Sequence, residues 1–247
     1  MLSENTYIDI NADLGEGAGN DRLIMPFISS CNVACGGHYG DSASMTKTIR
    51  LAVKRKVKIG VHPSFPDTDN FGRKVLTISK EELSKSILTQ LIGFLDICAT
   101  EGVTMHHVKP HGALYNYAAK DAPTADAIVE AILATKQRPI LYVPYNSILH
   151  RKSENLLPIR FEAFIDRRYE TNGSLVSRSF HEAIIHDPEL AWNQLERMVK
   201  YGTITAISGT EIKTKASTFC IHGDHVNSVK ILEYIHERMK DQNIFLK

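Results

Sequence analysis

Two hydrophobic periods alternate along this 247-residue chain. Short runs of β character lie at residues 7–13, 30–36, 57–62, 103–109, 139–143, 159–166 and 218–222. Stretches of helical period lie between and after them, near 42–56, 79–101, 122–135, 146–154, 188–201 and 226–242. The helix at 79–101 is the best defined. Ser79 and Glu82 have the spacing of a capping box, and Leu83, Ile87, Leu91, Leu95 and Cys98 mark one apolar face. Pro188 follows Asp187 at the favoured first helical position. Gly102 and Gly202 stand where left-handed residues end helices. In the last helix Val229, Leu232, Ile235 and Met239 recur at spacings of three and four. Residues 202–216 read as a small hairpin turned at Gly209.

Strands alternating with helices predict a parallel sheet with right-handed crossovers. An open doubly wound sheet and a closed barrel both satisfy that alternation. The barrel is favoured because titratable residues cluster where nearly every β run stops, whereas an open sheet gathers its chemistry at one switch point. The expectation is an α/β fold, a seven-stranded (β/α) barrel, with residues 1–247 in one domain. The polar clusters should then converge at one barrel mouth. The polar 65–77 loop has the length of an active-site cover.

Composition narrows the function classes. Hydrophobic residues make up 43% and charged residues 23%, ordinary for a globular protein, and the net charge of +1 favours neither nucleic acid nor an acidic membrane surface. No apolar run approaches a membrane span, and residues 1–7 are polar without a signal-peptide pattern. The expected location is the cytoplasm, with Cys31, Cys35, Cys98 and Cys220 as reduced thiols.

The densest chemistry is the string Lys109-Pro110-His111-Gly112 at the end of the fourth β run. Lys109 has the charge to stabilise a developing oxyanion, and His111 could shuttle a proton. A surface lysine and a helix-capping histidine are the plainer alternative. Asp13 and Glu16 end the first run, close enough for one acid to stay ionised while the other holds a proton; a loop cap and a solvated carboxylate would read the same. His38 stands among Gly36, Gly37 and Gly40, which let backbone approach a ligand. Asp41 or Ser42 would cap the helix that follows. His62 precedes Pro63, which forces it into an extended conformation. His106 and His107 lie within the fourth run, one facing inward and one outward. In the string Asp166-Arg167-Arg168-Tyr169, with Arg178 later, the arginines offer guanidinium forks to a carboxylate or phosphate, one of the adjacent arginines Arg167 and Arg168 being structural only. His222 could be oriented by Asp224, or Asp224 could cap the next helix. Cys31, Cys35 and His38 have a spacing that suggests zinc, but cysteines on one face of a buried strand act as small hydrophobes. Asp13, His38 and His62 are the better metal candidates. Neither the G-x-x-x-x-G-K-[ST] phosphate loop nor the G-x-G-x-x-G fingerprint occurs.

These strings together resemble the LamB/YcsF family nearly from end to end. They are Asp9-Ile10-Asn11-Ala12-Asp13-Leu14-Gly15-Glu16-Gly17, Asn32-Val33-Ala34-Cys35-Gly36-Gly37-His38, Gly60-Val61-His62-Pro63, Phe71-Gly72-Arg73, Val108-Lys109-Pro110-His111-Gly112-Ala113-Leu114-Tyr115-Asn116, Asp166-Arg167-Arg168-Tyr169 and Cys220-Ile221-His222-Gly223-Asp224. The chain departs from the family pattern at Cys31, Gly37, Tyr39 and Ile165. The resemblance implies a barrel of the glycoside hydrolase and polysaccharide deacetylase kind. It implies ATP-dependent opening of 5-oxoproline to L-glutamate with two partner subunits, B and C, of a 5-oxoprolinase. ATP would be consumed by or with those partners. Asp13, Glu16, His38, Lys109 and His111 would be catalytic. Asn11, His62, Arg73, Asp166, Arg167, Arg178, His222 and Asp224 would bind substrate. Two other readings compete: a metal-dependent deacetylase of an N-acetylated sugar, and a non-catalytic subunit that holds the small acid for its partners.

Overall fold

The computed structural model describes residues 5–247; the first four residues of the polar N-terminal stretch lie outside the described residues. In chain order the elements are β1 (Thr6–Leu14), α1 (Asp21–Ile24), β2 (Ser30–Ala34), α2 (Ser42–Arg55), β3 (Lys58–His62), α3 (Lys80–Glu101), β4 (His107–Val108), α4 (Gly112–Ala118), α5 (Ala122–Ala134), β5 (Ile140–Pro144), α6 (Ile148–Ser153), β6 (Ile159–Phe164), α7 (Pro188–Tyr201), β7 (Thr203–Thr205), β8 (Glu211–Lys213), β9 (Thr218–His222), α8 (Ser228–Asp241) and β10 (Ile244–Leu246). Strands β1 to β6 and β9 are all parallel, and β1 pairs with both β2 and β9, so seven strands close into a barrel. In the closing seam Asp13 lies opposite His222. Strand β10 adds in parallel to Thr6–Ile8 of β1. The β7–β8 hairpin is antiparallel, with Gly209 at positive φ in its turn.

The strands bury two kinds of surface. Along β1, Ile8, Ile10, Ala12 and Leu14 belong to the apolar core. Asp9, Asn11 and Asp13 alternate with them and are equally buried, but bond across the barrel to side chains on β2, β5, β6 and β9. Val33, Val61, Val108, Leu141, Val143 and Ile221 continue the outer, apolar face of the barrel wall. Helix residues such as Ile49, Ile87, Leu91, Phe94, Ile132, Trp192 and Ile235 complete that layer, each buried side chain contributing about 1.5–3 kcal/mol.

Caps and breaks follow the sequence closely. The Ser79–Glu82 capping box is formed, and Asp41 makes a second one with Ser44. Pro188 opens α7 after Asp187, and Gly102 and Gly202 close α3 and α7 in the left-handed region. Three details differ from the periodicity. On α3, Phe94 rather than Leu95 is buried, because a 3.6-residue period drifts from a strict spacing of four. The fourth strand is reduced to two residues, although His106 N still donates to Ile59 O at 2.8 Å. Helix α1 and strand β10 are additions, each too short to show a period in the chain. Among the described residues, no helix is long and apolar enough to cross a membrane.

Candidate active site

The C-terminal ends of the strands carry the polar clusters to one mouth. Asp13 closes β1, His62 is the last residue of β3, and Lys109 and His111 follow β4 directly. Glu16 and His38 come from the loops after β1 and β2, and His222 ends β9. The 65–77 loop folds inward: His111 Nε2 donates to Phe71 O at 3.0 Å, and Ala113 N donates to Gly72 O. A Cβ on Gly72 would lie 2.9 Å from both the His111 ring and His38 Cβ, so only glycine fits there at φ +62°.

These side chains form one continuous network. Lys109 Nζ donates to Asp13 Oδ1 at 2.6 Å and lies 2.9 Å from Cys220 Sγ and 3.6 Å from Glu162 Oε1. Asn32 Nδ2 donates to the same Asp13 oxygen at 2.8 Å. His62 Nδ1 donates to Lys109 O at 2.7 Å, and His62 Nε2 stands 3.4 Å from Asp13 Oδ2 and 2.9 Å from His111 Nδ1. Glu16 Oε1 accepts from His38 Nε2 at 2.8 Å and lies 3.2 Å from His111 Nδ1. The rings of His38 and His111 stack 3.7 Å apart. Beneath them a second polar layer fixes the first: Asn11 Nδ2 donates to Glu162 Oε1 and Thr218 Oγ1, and His107 Nε2 donates to Asn32 Oδ1. Gly60 makes room for that histidine, since a Cβ there would fall 2.2 Å from the ring.

Burial and charge set the protonation states. Burial opposes ionisation of Asp13, but the neighbouring His62 and Lys109 outweigh it and hold the carboxyl well below its ordinary range. Burial likewise opposes the charge on Lys109, and the facing Asp13, Cys220 and Glu162 more than restore it. Glu16 is held low, against its burial, by the neighbouring His111 and His38 side chains. Burial pushes His38 down to about 4 and lowers His62. Burial lifts Glu162 to about 7, with Lys109 pulling the other way. The floor of the mouth therefore holds a permanently charged lysine beside imidazoles that are neutral at pH 7.

Above this floor opens a cavity of about 360 Å³ lined by Asp13, His62, Lys109, His111 and His222, and by Arg73, Lys120, Arg167 and Arg178. Its walls suit a small anion. Several residues expected at the substrate stand elsewhere. Asn11 is fully buried one layer below. Asp166 does not line the cavity; it accepts from the His222 backbone N at 3.0 Å and from Nδ1, and so does the orienting that the sequence offered to Asp224. Asp224 instead pairs with Arg73. Arg167 lines the cavity, yet donates to Val176 O at 2.6 Å and to Ala183 O, which makes it chiefly a brace for its own loop. His111 sits at the N-cap position of α4 without a side-chain cap bond, so its nitrogens are left to the network. His107 is fully buried and faces inward while His106 is part-buried, as strand alternation requires. Lys120 and Glu162 were not singled out from sequence. Glu162 carries a period-two signal, being two residues from inward Phe164 on β6; Lys120 lies on a loop and has none.

The metal candidates regroup. Among the described residues, two sets have donor atoms within 4.8 Å of one another: Asp13, His62 and His111, and Glu16, His38 and His111. Asp13, His38 and His62 do not make one such set, because His38 turns to Glu16 and His111 takes its place beside Asp13. Cys31 and Cys35 are buried thiols raised further by burial, and neither belongs to a set.

The profile of the LamB/YcsF family matches residues 8–247. The chain belongs to the LamB/YcsF family. It is 40% identical over 243 residues to the A subunit of the 5-oxoprolinase of Alkaliphilus metalliredigens (strain QYMF), covering 96% of this chain and 95% of that one. The crystal structure of the lactam utilization protein from Thermus thermophilus superposes with a TM-score of 0.90 at 36% identity, over 98% of this chain and 99% of the other. A family 4 carbohydrate esterase from Streptomyces lividans shares the fold alone, with a TM-score of 0.52 at 10% identity over 98% of this chain and 92% of that one. In this LamB/YcsF barrel the family strings around Asp13, His38, His62, Lys109 and His222 are the segments that build the network.

Proposed function

We propose that this chain is the lactam-opening subunit of an ATP-dependent 5-oxoprolinase, converting 5-oxoproline to L-glutamate together with subunits B and C. The observation that carries the reading is the buried Lys109 ammonium at the floor of a small cation-walled cavity, next to imidazoles neutral at pH 7. A five-membered lactam with a carboxylate suits those walls. Arg73, Arg178 or Lys120 would take the carboxylate. Lys109 would stabilise the oxyanion formed as water adds to the ring carbonyl, and preorganised charge of this kind is commonly the largest catalytic term. His62 or His111 would accept the water proton and return one to the ring nitrogen as the C–N bond breaks. The names of the Alkaliphilus and Thermus relatives support the same substrate class. No phosphate-loop string occurs in the chain, and we assign ATP consumption to the partner subunits or to the assembled complex.

The test is glutamate release from 5-oxoproline and ATP, assayed with the chain alone and with co-purified subunits B and C. Turnover by the complex and none by the lone chain is expected. Absence of turnover in the complex overturns the substrate. Robust ATP-dependent turnover by the lone chain overturns the division of labour.

A further inference from the structure

The hydrogen bonds of His62 and His111 leave an unbalanced contact at the centre of the site. His62 Nδ1 lies 2.7 Å from Lys109 O, and His111 Nε2 lies 3.0 Å from Phe71 O. A backbone carbonyl only accepts, so both of these nitrogens carry hydrogen. In a neutral imidazole the remaining nitrogen is then a bare lone pair. Those remaining nitrogens, His62 Nε2 and His111 Nδ1, face each other at 2.9 Å. Two lone pairs at that distance repel, and two carboxylate oxygens point the same way, Asp13 Oδ2 and Glu16 Oε1, the latter 3.2 Å from His111 Nδ1. Asp13 Oδ2 is 3.4 Å from His62 Nε2, while Asp13 Oδ1 already takes both Lys109 and Asn32. One shared proton would settle the contact between the nitrogens and leave Asp13 Oδ2 without a donor.

We propose that Asp13 Oδ2, His62 Nε2 and His111 Nδ1 bind a divalent first-row transition-metal ion. Two imidazoles and one carboxylate on one side of an ion leave positions open toward the cavity, the pattern of catalytic rather than structural sites. The spacing fits: two nitrogens 2.9 Å apart subtend nearly a right angle at an ion about 2.1 Å from each. The outer contacts fit as well. Ligating histidines usually donate their other N–H to a carbonyl or carboxylate, and ligating carboxylates are themselves hydrogen-bonded. Here the Lys109 and Phe71 carbonyls, and the Lys109 and Asn32 donors, supply those contacts. The second set, Glu16 with His38, is already closed by its own 2.8 Å hydrogen bond. It shares His111 Nδ1 with the first, and one lone pair serves one ion. The site stands without the lactam reading, but where both hold the ion takes the His62 and His111 lone pairs that the proton transfer above would use.

The experiment measures metal, not turnover. The untagged chain is stripped with chelator, titrated with Zn²⁺ and with Co²⁺, and followed by elemental analysis and by the visible absorption of bound Co²⁺. One tight equivalent per chain is expected, with a Co²⁺ spectrum carrying nitrogen ligation. His62→Gln and His111→Gln should each weaken binding at least tenfold; His150→Gln, on the outer helix α6, should not. Asn32→Ala, which removes the bond to Asp13 together with those to Asn11 and His107, should weaken binding about 10–100-fold as outer contacts do. If the wild-type chain, loaded with either ion, emerges from a desalting column without a bound equivalent, the proposal fails and the contact holds a shared proton. That measurement uses the wild-type chain alone, so it decides the matter even where a variant does not fold.

Discussion

The two faces of the same strands are built on opposite principles. Outward, toward the helices, the barrel wall presents Ile10, Leu14, Val33, Val61, Leu141 and Ile221, a layer of branched and aliphatic side chains. Inward it presents Asp9, Asn11, Asp13, Asn32, His107, Lys109, Glu162 and Thr218, every one buried. The interior of a (β/α) barrel is ordinarily filled by layers of Val, Ile and Leu. Here the stabilising apolar burial sits almost wholly outside the strands, and the inside is an ordered polar network. Such a network is costly if one member is left unpartnered. Substitutions outside should therefore change how much folded protein there is, and substitutions inside should change what the folded protein does, often with a pH-dependent cost.

The largest effect is expected at the meeting point of the network. Lys109→Met removes the counter-charge of Asp13 and Glu162 together. Breaking a buried pair by deleting one partner costs about 3–5 kcal/mol. In the native protein Asp13 is held low, so its ion pair contributes stability above the ordinary carboxylate range and loses it as the pH falls. In the variant Asp13 keeps His62 but loses Lys109, so it is held less low, and the deficit should be greatest at neutral and alkaline pH and shrink as the pH falls through the carboxylate range. Loss of the oxyanion partner should also lower glutamate release by the complex about a hundredfold or more. Denaturant unfolding at several pH values and a turnover assay check both. A deficit that does not vary with pH would place Lys109 among ordinary packing residues.

Phe94→Ala tests the other face. Phe94 is fully buried on α3, against the outside of the barrel. Truncation should cost about 3–5 kcal/mol, through lost burial and the cavity left behind. Activity per folded molecule should be unchanged. A fall in kcat at full folding would mean that the outer layer tunes the mouth, and the contrast between the faces would weaken.

Much of this contrast was legible in the chain. Alternation in Thr6–Leu14 places Asp9, Asn11 and Asp13 on one side of β1 and Ile8, Ile10 and Ala12 on the other. Strand ends then located Asp13, His62, Lys109 and His222, because a strand's direction is set by the sheet. What sequence did not show is which of these pair. Asp166 rather than Asp224 orients His222, and His111 rather than His38 joins Asp13 and His62. Those choices depend on where loops return in space, as with Phe71 reaching His111. Glu162 lies within β6 rather than at its end, so in the chain only its alternation with Phe164 marks it as inward.

Glu162→Gln should give a smaller and more specific effect. Burial lifts its carboxyl from 4.5 to about 7. A raised folded value means that its contribution is fully present below pH 4.5 and is lost as the pH climbs through 7. Each unit is about 1.4 kcal/mol, so the native protein should lose about 3 kcal/mol over that window. Glutamine does not titrate. The stability of the variant relative to the native protein should thus rise by about that amount between pH 4.5 and pH 8. A constant difference across the window would mean that Glu162 stays ionised throughout as a second partner of Lys109.

The smallest expected effect lies between the two regions, where the mouth loop runs into α3. Ser79 Oγ accepts from Glu82 N at 3.2 Å, and Glu82 Oε2 lies 3.3 Å from Ser79 N. Ser79→Ala deletes the first bond and the 2.9 Å bond from Ser79 Oγ to Glu82 Oε2, and should cost about 1 kcal/mol. The same segment leads back to Phe71 and Gly72, which cover His111 and His38, so a loosened cap has a route to the site. That route is already fastened upstream: Gly72 N donates to Asp67 O at 2.7 Å, His111 Nε2 to Phe71 O, and Ala113 N to Gly72 O. These bonds do not involve the cap. Thermal unfolding of Ser79→Ala should therefore show the small loss while kcat and KM for 5-oxoproline in the complex stay at native values. A rise in KM with unchanged stability would reverse the assignment, making the cap a tether of the cover rather than a brace of the outer layer.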